Sequence, residues 1–116
     1  MSVSAPDFTQ APPRSGRELL GGYAWLARLA DKARAEQAGT EADYVAYCGL
    51  TQGFLNAAGV SQDAFAELIQ NGAGDADLVA YFDQHVPPAR REAANHFVLD
   101  TMGSHLDEQD EEEGRR

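Results

Sequence analysis

Eight residues in one early stretch carry the chemistry that this sequence offers: Arg17, Gly21, Gly22, Trp25, Arg28, Asp31, Lys32 and Arg34. A Gly-Gly pair that leads into a helix beginning near Tyr23 would present free backbone N–H groups, which bind anions. Arg17 precedes that point, and Arg28 and Lys32 project from one side of the helix that follows. The chemistry is recognition of negative charge, either a small anion or an acidic protein segment. The same residues also suit a solvated, ion-paired helix face, because Arg28–Asp31 and Lys32–Glu36 stand three and four residues apart. The phosphate-loop pattern GxxxxGK[ST] is absent, so the two glycines do not read as a nucleotide cradle.

A second constellation competes with the first. Arg28 and Asp31 on the helix, with Tyr44, Tyr47 and Cys48 from the segment after it, would line a pocket for a small anion, in a ligand-binding protein or an enzyme. Asp31 and Lys32 are an acid–base pair if buried. The structural alternative is an ion pair from Asp31 to Arg28 or Arg34. Activation of the Cys48 thiol needs a nearby cation or a helix N-terminus. No Lys or Arg lies between residues 35 and 89, so Cys48 reads as a buried, inert thiol unless the fold brings Arg28 to it. His85, His96 and His105 have no metal-ligand spacing, and no GxSxG element is present. No catalytic residue, metal or cofactor is therefore assigned.

The formal net charge of −10 disfavours nucleic acid and anionic membranes as partners. Its distribution is uneven. Arg14, Arg17, Arg28, Lys32 and Arg34 cluster early, whereas residues 107–113 are nearly all acidic. That tail would mask the basic face within one molecule if it folded back. Tyr23, Trp25, Tyr44, Tyr47 and Tyr81 serve either the core or an aromatic surface. No run of 18 apolar residues is present, and the first residues lack the basic and apolar regions of a secretory signal. A single cysteine excludes an internal disulfide framework, and a cytoplasmic protein is expected.

The elements that must position these residues are helices. Residues 1–14, rich in Ser, Pro and Ala, form a flexible or loosely docked arm that Phe8 would pin. Ser15 and Glu18 have capping-box spacing for a short turn. A helix over residues 23–37 carries Leu26, Leu29, Ala30 and Ala33 as its apolar stripe and stops at Gly39. Residues 40–50 read as a loop with a short turn, although Thr40 and Asp43 also have the spacing to cap a short helix and Tyr44 to Cys48 also suits an extended strand. A brief helix over residues 52–58 ends at Gly59. Ser61 caps a third helix to about Gln70, with Val60 and Phe65 in a hydrophobic-staple arrangement. Asp75 caps a fourth, with Leu78, Val79, Phe82 and Val86 inward. Pro88 opens a fifth, over residues 89–102, which Gly103 closes. The acidic residues 107–116 are expected to be disordered. One all-α domain over residues 15–106 follows, a bundle of about five helices.

Ser15-Gly16-Arg17-Glu18, Leu20-Gly21-Gly22, Leu26, Arg28 and Asp31-Lys32 with Arg34 together resemble the domain of unknown function 5069 family, small bacterial proteins. Gly39, Tyr44 to Cys48, Phe54-Leu55, Gly59-Val60, Phe65, Gly72 and the segment from Asp75 to Tyr81 extend the likeness over about residues 14–86. This chain differs at Gly16, where such sequences often have Pro. The resemblance implies a compact helical fold and carries over no substrate, cofactor or catalytic residue. On these grounds the leading expectation is a non-enzymatic interaction module that uses a basic helix face. The Arg28/Tyr44 pocket is the alternative, and a homodimer built on an apolar patch a further possibility.

Overall fold

A computed structural model describes residues 5–115. Among these, six α-helices follow in order: α1 (Leu26–Ala38), α2 (Gly49–Ala58), α3 (Gln62–Gln70), α4 (Asp75–His85), α5 (Pro88–His96) and α6 (Gly103–Glu112), with a π-helical turn (Phe97–Thr101) between the last two. No strand forms among the described residues, only an isolated bridge between Leu20 and Tyr23. The all-α architecture is as expected, with a sixth helix added.

The local signals explain several boundaries. The Ser61 hydroxyl accepts the Ala64 N–H at 3.1 Å and opens α3. Pro88 occupies the first turn of α5, where its missing N–H costs nothing. Gly59 ends α2 with a φ of 79°, a conformation that an L side chain rarely adopts. Gly74, rather than Asp75, is the N-cap of α4, and the Asp77 carboxylate accepts the Gly74 N–H at 2.9 Å. The helix entered after Cys48 starts at Gly49, three residues earlier than Gln52.

The core forms where the inward faces of these helices meet. Phe82 of α4 lies at its centre, edge-on to Tyr23 at 5.2 Å and stacked on Phe54 of α2 at 6.0 Å. Trp25, Leu29, Phe65, Leu78, Val98 and Leu106 are buried around it. The π turn presses its Phe97 ring onto α2 at Gly53, where a Cβ would stand only 2.2 Å from that ring. A glycine is required there by close approach, not by dihedral angle.

Gly21 and Gly22 form a tight turn and no helix start. Their φ values are 60° and 86°, and Leu20 and Tyr23 exchange both backbone hydrogen bonds at 3.0 Å. Two successive positive φ values are what such a two-residue turn demands. Ser15 does not cap a helix either. Its hydroxyl accepts the Arg17 N–H and donates to the Asp110 carboxylate, across the molecule, at 3.0 Å.

Two further expectations give way. Gly103 does not end the last helix: it begins α6. The acidic residues from Asp107 onward are not disordered, because α6 carries them to Glu112 and the chain then turns Glu113 inward. A helix that ends on Glu111 and Glu112 opposes its own dipole, so tertiary contacts must hold it. They come from Leu106 and Asp110 on the buried face and from the ion pair between Arg17 and Asp107 at 3.0 Å. At the other end, the arm is docked from Pro6. The Phe8 N–H donates to Thr40 O at 3.0 Å, its ring meets Tyr44 edge-on at 5.1 Å, and the Thr40 hydroxyl donates to Pro6 O at 2.7 Å. Residues 1–4 of the expected flexible arm lie outside the described residues. No described helix is long and apolar enough to cross a membrane.

Candidate functional site

The basic surface expected along α1 is not a surface. Trp25 is fully buried, Arg28 is 1% exposed, Lys32 5% and Arg34 9%. Each cation except Lys32 is answered by a carboxylate from elsewhere. Arg34 donates to Asp75 at 2.9 Å and to Ala73 O at 3.0 Å. Arg28 pairs with Glu113 through two bonds of 2.9 and 2.7 Å. Arg17 reaches Asp107 and Gly103 O, both at 3.0 Å. The acidic tail thus folds back onto the basic segment, as the charge distribution allowed.

The glycine cradle is also closed. α1 begins at Leu26, with Trp25 as its N-cap. Asn95 of α5 occupies the approach: its side chain accepts the Ala24 N–H at 2.9 Å and donates to Gly22 O at 2.8 Å. Asp31 pairs with neither Arg28 nor Arg34. Its carboxylate takes the Arg14 side chain at 2.9 and 3.0 Å and the Arg14 N–H at 2.9 Å. Arg14 also bonds Asp75 at 2.9 Å, so Arg14, Asp31, Asp75 and Arg34 make one network that ties the arm and α4 to α1. Glu36 takes no part in a pair with Lys32: its carboxylate accepts the Ala46 N–H at 3.1 Å.

Concavity lies elsewhere on α1. A cleft of about 750 Å³ opens between α1, the loop before α2 and α6, with Arg28, Lys32, Tyr44 and Cys48 in its wall and His105 and Gln109 opposite on α6. Three of the five residues of the second constellation are therefore together. Asp31 belongs to the network above, and Tyr47 turns away to pack on Phe65 at 6.5 Å beside Ala33 and Glu36. Burial, with the Glu36 charge, pushes the Tyr47 phenol up to about 12.

At the back of the cleft the Lys32 ammonium stands 3.8 Å from the Cys48 sulfur and 5.1 Å from the centre of the Trp25 ring. Among the described residues no carboxylate lies within ion-pair distance of it. Burial holds the Lys32 ammonium below its ordinary value, with the neighbouring Arg28 charge in the same direction. Cys48 is the N-cap of α2. Burial acts to raise its thiol, but the Thr51 and Leu50 backbone N–H groups, the Thr51 side chain and the Lys32 charge outweigh it, so the thiol sits below its ordinary value. Tyr44 donates to Glu113 at 2.9 Å, and burial together with that carboxylate raises its phenol.

One support under this site is unusual. Trp25 has a φ of 74°, a left-handed conformation costly for a bulky residue. Its N–H donates to Gly16 O at 2.9 Å and its indole N–H to the Thr51 hydroxyl at 3.0 Å. The Thr51 hydroxyl in turn donates to Ala46 O at 2.6 Å. These bonds fix the ring against which Lys32 rests and the turn that presents Cys48. At Gly16 a Cβ would stand 2.7 Å from both the Trp25 ring and Leu106.

Sequence reasoning placed Lys32 and Cys48 in different constellations and missed Glu113, His105 and Gln109. Nothing in the spacing joins residues 16 and 85 positions apart; only the fold does. Among the described residues no group of three His, Cys, Asp or Glu side chains is placed to hold a metal.

The model of one family, described as a domain of unknown function (DUF5069), matches residues 10–115. The chain belongs to that family. No curated protein matches it.

Proposed function

We propose that this member of the DUF5069 family is a small-anion-binding protein whose ligand enters the cleft and pairs with Lys32. The observation that carries the reading is a buried ammonium with no carboxylate within ion-pair distance among the described residues. Burying a charge without a partner costs several kcal/mol, and an ammonium has three donors, of which the protein occupies one, with a weak sulfur acceptor. A carboxylate or phosphate oxygen would complete it. Arg28, by contrast, is already neutralised by Glu113 and serves as a wall. The acidic partner first expected for the basic helix has its counterpart within the chain, in Asp107 and Glu113, which favours a pocket over a flat interaction surface. A free thiol held beside an ammonium suits a reducing compartment, and we place the protein in the cytoplasm.

The test is thermal unfolding of the full chain against inorganic phosphate, acetate and citrate. At least one anion raises the midpoint with saturation, and Lys32→Met abolishes that shift whereas Arg17→Ala keeps it. Equal shifts in wild type and Lys32→Met would overturn the reading.

A further inference from the structure

We propose that Cys48 is a nucleophilic thiol that exchanges with small anionic disulfides admitted to the cleft, so that the protein carries one thiol moiety as a mixed disulfide. The proposal rests on the reading of the cleft as an anion site. Two features of the cleft meet there. Cys48 is half-buried in the wall of an open cleft, at the N-cap of α2, with its sulfur 3.6 Å from the Thr51 hydroxyl and 3.8 Å from the Lys32 ammonium. Lys32, 5% exposed, lines the same cleft, and among the described residues no carboxylate lies within ion-pair distance of it. A thiolate at Cys48 takes one of the three ammonium donors, and an anionic substituent on the incoming disulfide takes another. The mouth is lined by Asp43 and Glu112, both exposed and in high dielectric, where their repulsion is screened. Lys32 acts at short range in a desolvated setting, and its attraction wins.

The step balances without any further reagent. The Cys48 thiolate attacks one sulfur of R–S–S–R, a Cys48–S–S–R bond forms, the R–S⁻ group leaves with the electron pair of the broken bond, and water protonates it. The disulfide is the oxidant and the departing thiol its reduced product. The chain has one cysteine, so no second thiol within it can resolve the mixed disulfide. The adduct therefore persists until an external thiol attacks it. That separates this site from a two-cysteine oxidoreductase: it holds or masks a single thiol and does not pass a disulfide on to a substrate dithiol.

The experiment uses the full chain and 5,5′-dithiobis(2-nitrobenzoate), a dianionic disulfide, with cystamine as its cationic counterpart. Release of thionitrobenzoate at neutral pH reports the rate, and intact mass reports the adduct. A lowered thiol gains thiolate fraction but loses intrinsic nucleophilicity with a slope of about 0.4–0.5, so the net gain is about half the shift. The folded chain is expected to react faster than the same chain in urea. Lys32→Met should remove that advantage, and cystamine should show none. A folded rate no greater than the unfolded one, or one indifferent to Lys32→Met, would overturn the proposal. If the Lys32-dependent thermal shift with anions survives while Cys48 stays inert, the thiol inference fails and the anion site stands. If both are absent, both fall.

Discussion

Arg28 of α1 and Glu113 just beyond α6 meet through two parallel hydrogen bonds, with side-chain exposures of 2% and 7%. Eighty-five residues separate them in sequence. The pair joins the helix that carries the cleft's cations to the segment that closes the cleft's far wall.

Removing one member leaves the other charge buried. Glu113→Gln should destabilise the protein by about 3 kcal/mol, near the low end for a broken buried pair because this one borders an open cleft. The double variant Arg28→Met, Glu113→Gln should recover much of the loss, since neither charge is then stranded. Urea denaturation of the two variants and the Arg28→Met single variant gives the coupling directly.

Acid should act on the same joint. Hydrogen bonds from Arg28, Tyr44 and Arg115 hold Glu113 below the ordinary carboxylate range against the effect of burial, and Arg14 and Arg34 do the same for Asp75. Stability from both groups is fully present above their unfolded values near 4 and is lost as pH falls through their lower folded values. Urea midpoints should therefore fall between about pH 5 and pH 3. The single tryptophan, Trp25, reports the transition by fluorescence. Glu113→Gln should flatten part of the fall.

Lys32→Met should behave in the opposite sense to most core substitutions. An ammonium held below its ordinary value by burial is a charge the fold tolerates and does not gain from. Its replacement by an apolar side chain of similar length should leave stability unchanged or raise it by about 1 kcal/mol, while anion binding disappears. A loss of several kcal/mol would mean that Lys32 is a structural group.

Thr51 supports the Trp25 ring through one hydroxyl. Thr51→Val keeps the shape and leaves the buried indole N–H without its acceptor, which should cost about 1–3 kcal/mol. Chemical denaturation measures it, and the Trp25 emission of the folded state should change with it.

The glycine turn allows a paired comparison. Gly21 and Gly22 both hold positive φ, but a Cβ at Gly21 would lie 2.5 Å from the Val79 side chain, whereas at Gly22 the nearest atom is the end of Arg91 at 4.0 Å. Gly22→Ala should cost about 1–2 kcal/mol of backbone strain. Gly21→Ala should cost that and a further 1–3 kcal/mol or so for overpacking against α4. Equal midpoints for the two would refute the packing argument.

The helices whose signals are local were legible in the sequence. Ser61 caps α3, Pro88 starts α5, and Gly39 and Gly59 stop α1 and α2. α6 was not, because its buried face consists of Gly103, Leu106 and Asp110, and one leucine makes no apolar period. The π turn was not, because Phe97, Val98 and Met102 read equally well as a continuous helix; it is packing on Gly53 that shows its use. For the site, Arg28, Tyr44 and Cys48 were grouped from their types. The charged stripe of α1 reads as an exposed basic binding face that includes Lys32, yet the loop before α2 covers that face. Asp31 was drawn to the nearest arginines on its own helix, whereas Arg14 outside the helix offers a bidentate fork. Pairing within a helix is worth a few tenths of a kcal/mol and yields easily to such geometry.

The wall formed by α6 has a thermodynamic consequence. Its inward face offers little apolar area, its last turns are acidic against the helix dipole, and its attachment closes the longest loop in the molecule. Segments of that kind open at lower free energy than the rest of a domain. Salt and acid, which loosen charge-held joints, should therefore loosen the α6 wall of the cleft before the rest of the domain, and with it the grip of the site on what it holds.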